Sequence, residues 1–541
     1  MRSRLPDMLQ LWLLLLTASL NGRTHATRLN VPTTAAGASI AHQPNYVSFS
    51  IEPAFWVEFW GNASQPNTFT FDVLQLLVDR GGQPQIRPGG ETMDSMIFEP
   101  SAGNVQRVTS SDGGIYRTVV GPAYYQSWSN FPSVTKFTST LNFQNDSLAI
   151  AQGLAVASVK YQPERVHYFE LGNEPNNYAT AESRWDDSTQ EYVNQWLNWT
   201  YAIDVAVNNT LGASAAEQLG ISRWWGSSST TDPTALQVRP ANIIPDGIDS
   251  DNQVAQYSIH SYQFATCSPA QTALSTLPDV LNHSSLVSYA NSQILPSAQA
   301  ALNSGSQWII GEYNSVACSG SVNVSDRFAQ ALWTADTQLL YASMNASATY
   351  LHQGATLVDQ SSDQANSAGP NGTPSFSLYD MVYPRDSSAR GPARALPGFL
   401  GVLFATEVFS TPGIRVRALA APTTVDEDYF AAYSMYANNE IRKVAVLNMQ
   451  PYYGNGNNLT VSVQLPKSPR GSGSPQAWLK RMSSPSVSET DSSLTTWAGQ
   501  SYEHGKPVGN LDIEEVGSDG IITVRGSEAV LVFYNHSDVY M

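Results

Sequence analysis

The chain has 541 residues, enough to bury a large core and to form more than one small domain. Only 13% of residues are charged and the formal net charge is −17, which excludes a basic surface for nucleic acid. Two cysteines and no compact histidine cluster argue against a zinc site, so neither a metal nor a cofactor is expected.

Arg2 and Arg4 precede an apolar run centred on Leu11-Trp12-Leu13-Leu14-Leu15-Leu16. That run is too short to cross a bilayer comfortably, and Thr24-His25-Ala26 offers small residues for cleavage. A signal peptide over 1–26 and a secreted, extracellular product are expected; a membrane anchor is the alternative. No second apolar run of about 20 residues follows, so no membrane partner is expected after signal removal. N-glycosylation triplets begin at Asn62, Asn145, Asn198, Asn208, Asn282, Asn323, Asn345, Asn371, Asn458 and Asn535. So many acceptors behind a signal peptide suggest a heavily glycosylated surface.

An N-terminal segment, 27–45, comes next, and its stretch 29–40 is expected to add a strand to a C-terminal sandwich. From 46 to 409, strand-like runs alternate with helical patterns. The strands are expected at 46–51, 85–87, 136–143, 166–171, 219–225, 254–260, 307–310 and 349–351. Helical spacing is read at 71–78, 147–160, 191–207, 286–302, 326–344 and 396–406. Eight strands with intervening helices predict a (β/α)₈ TIM barrel. From about 410 to 541 short alternating strands are separated by turn-rich segments. This predicts an antiparallel β-sandwich domain.

Two carboxylates stand out. Glu174 ends Phe169-Glu170-Leu171-Gly172-Asn173-Glu174-Pro175, and Glu312 ends Trp308-Ile309-Ile310-Gly311-Glu312. Each closes an apolar strand, so a parallel barrel carries both to the same open end, where active sites are built. Two carboxylates facing one cavity are what glycosidic cleavage requires. Glu52 ends another strand and either binds sugar hydroxyls or makes a structural hydrogen bond. Cys267 and Cys318 follow the sixth and seventh expected strands. A lone pair in an oxidising compartment is expected to form a disulfide pinning loops beside the site; two free thiols are the alternative.

Asn173-Glu174-Pro175 on strand four resembles the acid/base motif of clan A glycoside hydrolases, and Gly311-Glu312-Tyr313 on strand seven resembles their nucleophile site. Ser50-Ile51-Glu52-Pro53-Ala54-Phe55-Trp56 and Ile86-Arg87-Pro88-Gly89-Gly90 narrow the resemblance to family 79, in its fungal β-glucuronidase branch. The resemblance implies that Glu174 is the acid/base and Glu312 the nucleophile of a retaining enzyme. It further implies that Asn173 meets the sugar 2-hydroxyl, that Arg87 keeps Glu312 ionised, and that Tyr262 donates to Glu312. Tyr313 is either a substrate-side residue or core, and His352 either lines the cavity or is structural.

The implied substrate carries a glucuronate carboxylate, yet no cationic cluster lies near the motifs. The segment Asn314-Ser315-Val316-Ala317-Cys318-Ser319-Gly320 is expected to present backbone N–H groups to it. The acidic chain disfavours a polysulfated substrate. A terminal glucuronic acid, or its 4-O-methyl form, on arabinogalactan or proteoglycan side chains is the expected partner. A clan A glycosidase for a neutral sugar and a silent carbohydrate-binding protein on the same scaffold are the alternatives.

Overall fold

A computed structural model describes residues 26–110, 114–220, 223–231, 236–356, 375–466 and 477–540. The expected signal peptide, apart from Ala26, and the Asn371 triplet lie outside the described residues.

Eight parallel strands close into a barrel: β1 (Val47–Ile51), β2 (Ile86–Arg87), β3 (Phe137–Leu141), β4 (Val166–Leu171), β5 (Trp224–Ser229), β6 (Val254–Ser261), β7 (Gln307–Tyr313) and β8 (Thr349–Gln353). They follow chain order, and β8 pairs with β1 to complete the ring. Helices cover the outer face of parallel strands, so both faces are buried and the strands read as apolar runs. Every residue of β1 and of β3 is buried. The fifth strand lies further along than expected. A helix, Ala213–Leu219, occupies the start of the expected run, and the strand is Trp-Trp-Gly-Ser-Ser-Ser, all buried. Its small serines fit the crowded barrel interior, and their polarity hid them as strand residues.

The main helices are α1 (Thr68–Val78), α2 (Leu148–Tyr161), α3 (Thr189–Leu211), α4 (Leu295–Asn303), α5 (Phe328–Ser343) and α6 (Phe399–Phe409). Asn67 caps α1 by accepting the Thr70 N–H, and Ser188 caps α3 by accepting that of Glu191. Ahead of α4 the chain forms His283–Tyr289 and a π-helical turn, Ala290–Ile294, so the expected single helix is three pieces. Nearly every residue of α5 and all of α6 are buried, because these helices are wedged between the barrel and the C-terminal domain. Between β2 and β3 the chain inserts a small sheet made of Met96–Phe98, Gln106–Thr109 and Ile115–Val120.

The C-terminal domain has two sheets. One contains β9 (Arg415–Ala418), β10 (Phe430–Ala437), β11 (Glu440–Asn448), β13 (Ala477–Ser483), β14 (Thr496–Trp497), β15 (Glu514–Val516) and β17 (Glu528–Phe533). The other pairs β12 (Val461–Gln464) with β16 (Ile521–Val524) and receives Thr27–Arg28 in parallel on β12. The N-terminal strand thus lies just before the stretch expected to supply it. Leu29, Val446, Val463, Val524 and Val532 share the core of this domain. Glu407 on α6 ties it to the barrel: it accepts from Lys480 at 2.7 Å, Trp497 Nε1 at 2.8 Å and Arg80 at 3.2 Å. Among the described residues no helix is long and apolar enough to cross a membrane.

Candidate active site

Glu174 and Glu312 stand at the C-terminal ends of β4 and β7, on the wall of one cavity of about 610 Å³. Two local irregularities aim them. On β7 the register with β6 slips, so that Ile259 faces Ile310 while His260 faces Glu312. Gly311 is the extra residue of this bulge. A Cβ on Gly311 would collide with Ser258 Oγ, so only glycine lets β7 approach β6 here. After β4, Glu174 adopts φ 48° and ψ 53°, a left-handed conformation uncommon for a residue with a side chain. Its N–H donates to the Ser228 carbonyl at 2.9 Å, and its own carbonyl accepts from Asn177 N–H at 2.8 Å. Those bonds hold the strained residue in place.

Arg87, fully buried beneath the cavity, links the two strand ends. It donates to Glu170 Oε2 at 2.6 Å, Glu312 Oε2 at 2.7 Å, Asn173 Oδ1 at 2.9 Å and Ser50 Oγ at 2.9 Å. Tyr262 donates to Glu312 Oε1 at 2.9 Å. His260 Nδ1 lies 3.0 Å from Glu174 Oε1, and Asn177 Nδ2 donates to Glu174 Oε2 at 3.2 Å. One ligand atom each of Glu174, His260 and Glu312 lie within 4.8 Å of one another. The closest carboxylate oxygens are therefore no more than that apart, as a retaining pair requires and too close for the water of an inverting enzyme.

The two carboxyls are pushed in opposite directions. Burial and the neighbouring Glu312 charge raise Glu174 to about 8. Burial also opposes ionisation of Glu312, but His352, His260, Arg87 and the Tyr262 hydrogen bond together bring it down to about 2. Burial holds His260 and His352 at about 4, so at neutral pH the permanent cation facing Glu312 is Arg87. Near neutrality the site holds one protonated and one ionised carboxyl, the states needed for a proton donor and a nucleophile.

The remaining expected site residues separate into those at the cavity and those away from it. Asn173 lines the cavity, and its N–H donates to Asp94 Oδ2 at 2.8 Å. Glu52 borders the cavity too, but its carboxyl accepts the N–H groups of Glu91 and Thr92, each at 2.9 Å, and the Thr92 hydroxyl. Gly90 must be glycine there, since a Cβ would strike the Glu52 carboxyl. His352 lines the cavity, with Nδ1 3.6 Å from Glu312 Oε2. Tyr313 is a correction. It faces outward from β7, is fully buried, and its hydroxyl accepts from Gln338 Nε2 of α5 at 2.7 Å. Glu312 points inward and strand alternation puts the next residue on the helix side, so Tyr313 is core and does not reach the sugar. In the 314–320 segment two of the N–H groups are taken up within the loop. The Ser315 N–H is spent on Asn314 Oδ1 and that of Gly320 on the Val316 carbonyl, so neither is presented to a ligand.

Cys267 and Cys318 form a disulfide with Cα atoms 5.4 Å apart. Both border the cavity, where Phe264–Ala265 pairs with Val316–Ala317. Of the described glycosylation acceptors, Asn145, Asn198 and Asn323 are exposed, while Asn62, Asn208, Asn282, Asn345, Asn458 and Asn535 are half-buried. The sequence reading missed three residues. Glu170 is buried against Arg87, Asp94 accepts from Asn173, Phe143 and Tyr178, and His260 meets Glu174. Glu170 had a signal: an acid inside an apolar strand must have a partner.

Residues 432–531 match the family model described as the glycosyl hydrolase family 79 C-terminal beta domain. A β-glucuronidase of Aspergillus niger is 28% identical over 519 residues, covering 89% of this chain and 88% of its own. A β-glucuronidase of Neurospora crassa is 27% identical over 340 residues, covering 57% of each. In fold, the chain is similar to a 4-O-α-L-rhamnosyl-β-D-glucuronidase of Fusarium oxysporum, with a TM-score of 0.72, 20% identity, and coverage of 94% of this chain and 100% of the other. It is also similar to a family 51 α-L-arabinofuranosidase of Bifidobacterium longum, with a TM-score of 0.57, 15% identity, and coverage of 94% and 98%. Residues 432–531 are thus similar to the C-terminal domain of glycoside hydrolase family 79, and the chain is similar nearly end to end to a fungal β-glucuronidase.

Proposed function

We propose that the protein is a retaining, exo-acting β-glucuronidase that releases terminal glucuronic acid, or its 4-O-methyl form, from glycans. The observation that carries this reading is the carboxylate pair, with oxygens within 4.8 Å and pKa values driven apart to about 8 and about 2. Glu312 attacks the anomeric carbon as the bond to the leaving oxygen breaks. Glu174 gives its proton to that oxygen. Esterified Glu312 no longer carries a charge, so the repulsion that raised Glu174 is removed, its pKa falls, and it stays ionised and available as a base. Glu174 then takes a proton from water as that water attacks the same carbon and frees Glu312. Asn173 binds the 2-hydroxyl in this reading, which its hydrogen bonds to Arg87 and Asp94 support by fixing its orientation.

The choice of sugar is supported by the relatives, both named β-glucuronidases. Among the described residues, those lining the cavity include no lysine or arginine, so in this reading neutral donors such as the Tyr379 hydroxyl and the Gln263 amide meet the carboxylate. Arabinogalactan or proteoglycan side chains are the proposed natural partners, and the protein is proposed to be secreted. The N-terminal apolar run and the disulfide support secretion. The test is the ratio of kcat/KM for p-nitrophenyl β-glucuronide to that for p-nitrophenyl β-glucoside. Losing two buried hydrogen bonds on the glucoside predicts a ratio of roughly 30 or more. A ratio near or below one overturns the glucuronidase reading and leaves a neutral-sugar glycosidase.

A further inference from the structure

Helix α3 buries Tyr192, Val193, Trp196, Trp199, Ile203 and Val207, so its opposite face should carry charge. It does not. Of its 23 residues only Glu191 and Asp204 are charged, and the Asp204 carboxylate accepts from Trp224 Nε1 at 3.2 Å. At about 100° per residue, Asn194, Asn198, Tyr201, Val205 and Asn208 fall on one stripe about 80° wide. Tyr201 is 67% exposed and Val205 43%. They stand between two glycosylation triplets, Asn198-Trp199-Thr200 and Asn208-Asn209-Thr210, each acceptor three residues from its apolar neighbour. Helical side chains lean toward the N-terminus, so Tyr201 lies over the turn that carries Asn198, and Asn208 leans over Val205. The same juxtaposition recurs off the helix: Leu459, 59% exposed, follows Asn458, and Val322, 46% exposed, precedes Asn323.

We propose that N-linked glycans on Asn198 and Asn208 close over Tyr201 and Val205, so that sugars complete the outer face of α3 and keep it from meeting a second apolar surface. The inference rests on the proposed secretion and goes beyond the glucuronidase reading. Attachment joins the Asn amide nitrogen to the anomeric carbon of a lipid-linked oligosaccharide diphosphate supplied by the secretory host. The carbon–oxygen bond to the diphosphate breaks, and the diphosphate takes the amide proton. The Thr200 hydroxyl of the first triplet is buried and donates to the Trp196 carbonyl at 2.9 Å, so transfer to Asn198 precedes the packing of α3. A sugar turns C–H groups toward the tyrosine ring and hydroxyls toward water, which suits a stripe that is apolar and uncharged.

The test uses the full-length protein secreted from a glycosylating eukaryotic host. Enzymatic glycan release in heavy-oxygen water, followed by peptide mass spectrometry, should mark Asn198 and Asn208 as occupied. Asn198→Gln with Asn208→Gln should raise the fluorescence of anilinonaphthalene sulfonate about twofold or more, while kcat/KM on p-nitrophenyl β-glucuronide stays at the wild-type value. Adding Tyr201→Ser and Val205→Ser should return the dye signal to that of the wild type. Where the double variant is not secreted, release of the glycans from the folded wild type gives the same dye comparison. Either acceptor found unmodified while other triplets carry sugar overturns the cover, as does a dye signal that ignores the loss of the glycans. No sugar at any triplet overturns the secretion reading and the cover with it.

Discussion

Arg87→Met removes the cation on which both strand ends converge. The guanidinium lies 2.6 Å from Glu170 and 2.7 Å from Glu312. At an effective dielectric of about 20, each pair is worth about 6 kcal/mol of Coulomb attraction before the cost of burying the charges. After that cost, breaking a buried pair from one side destabilises by about 3–5 kcal/mol, because the abandoned carboxylates stay buried. Chemical denaturation followed by tryptophan fluorescence should show a loss of that order at neutral pH. Glu312 is depressed from 4.5 to about 2, so its contribution is present above about pH 4.5 and lost as pH falls through about 2. The gap between wild type and variant should therefore narrow in acid. Adding Glu170→Gln should restore part of the loss, since one stranded charge is removed. A loss below about 1 kcal/mol, the level of a surface pair, with no response to pH or to Glu170→Gln, would refute this reasoning.

Glu312→Gln should abolish turnover while leaving the thermal transition near that of the wild type, since the amide is nearly isosteric but a poor nucleophile. Glu174→Ala should slow alkyl glucuronides by about 10²–10⁴-fold and aryl glucuronides with good leaving groups much less; equal losses would argue against its role as acid. Because Glu174 must be protonated to donate and burial with the Glu312 charge raises it to about 8, kcat/KM should fall only above about pH 8. An alkaline limb near pH 5 would contradict that environment.

The barrel was legible where a strand is apolar on both faces and ends in a carboxylate. β4 and β7 meet that description, and their acids share one cavity. β5 was misplaced because four of its six residues are glycine or serine, chosen for the crowded barrel interior and indistinguishable from a loop by hydropathy. β13 does not read as a strand by hydropathy because Lys480 and Arg481 sit in its middle. Lys480 is neutralised by Glu407 across the domain junction, and Arg481 by Glu514 and Glu528 on neighbouring strands. Partners so distant in sequence leave no local trace. The same limit hid His260 and Asp94, whose roles come from β4 and β6 converging on Glu174 and from the loop after β2 reaching Asn173. Tyr313 misled for a different reason: it was read together with Glu312, whereas strand alternation sends the residue after an inward side chain to the helix side.

The central claim is that Glu312 and Glu174 work as a retaining pair. Proton NMR of p-nitrophenyl β-glucuronide during its first minutes with the enzyme tests it most directly. Oxygens within 4.8 Å leave no room for a water opposite the leaving group, so the first product should be the β-anomer of glucuronic acid, with the α-anomer appearing only by mutarotation. Initial release of the α-anomer would contradict the account.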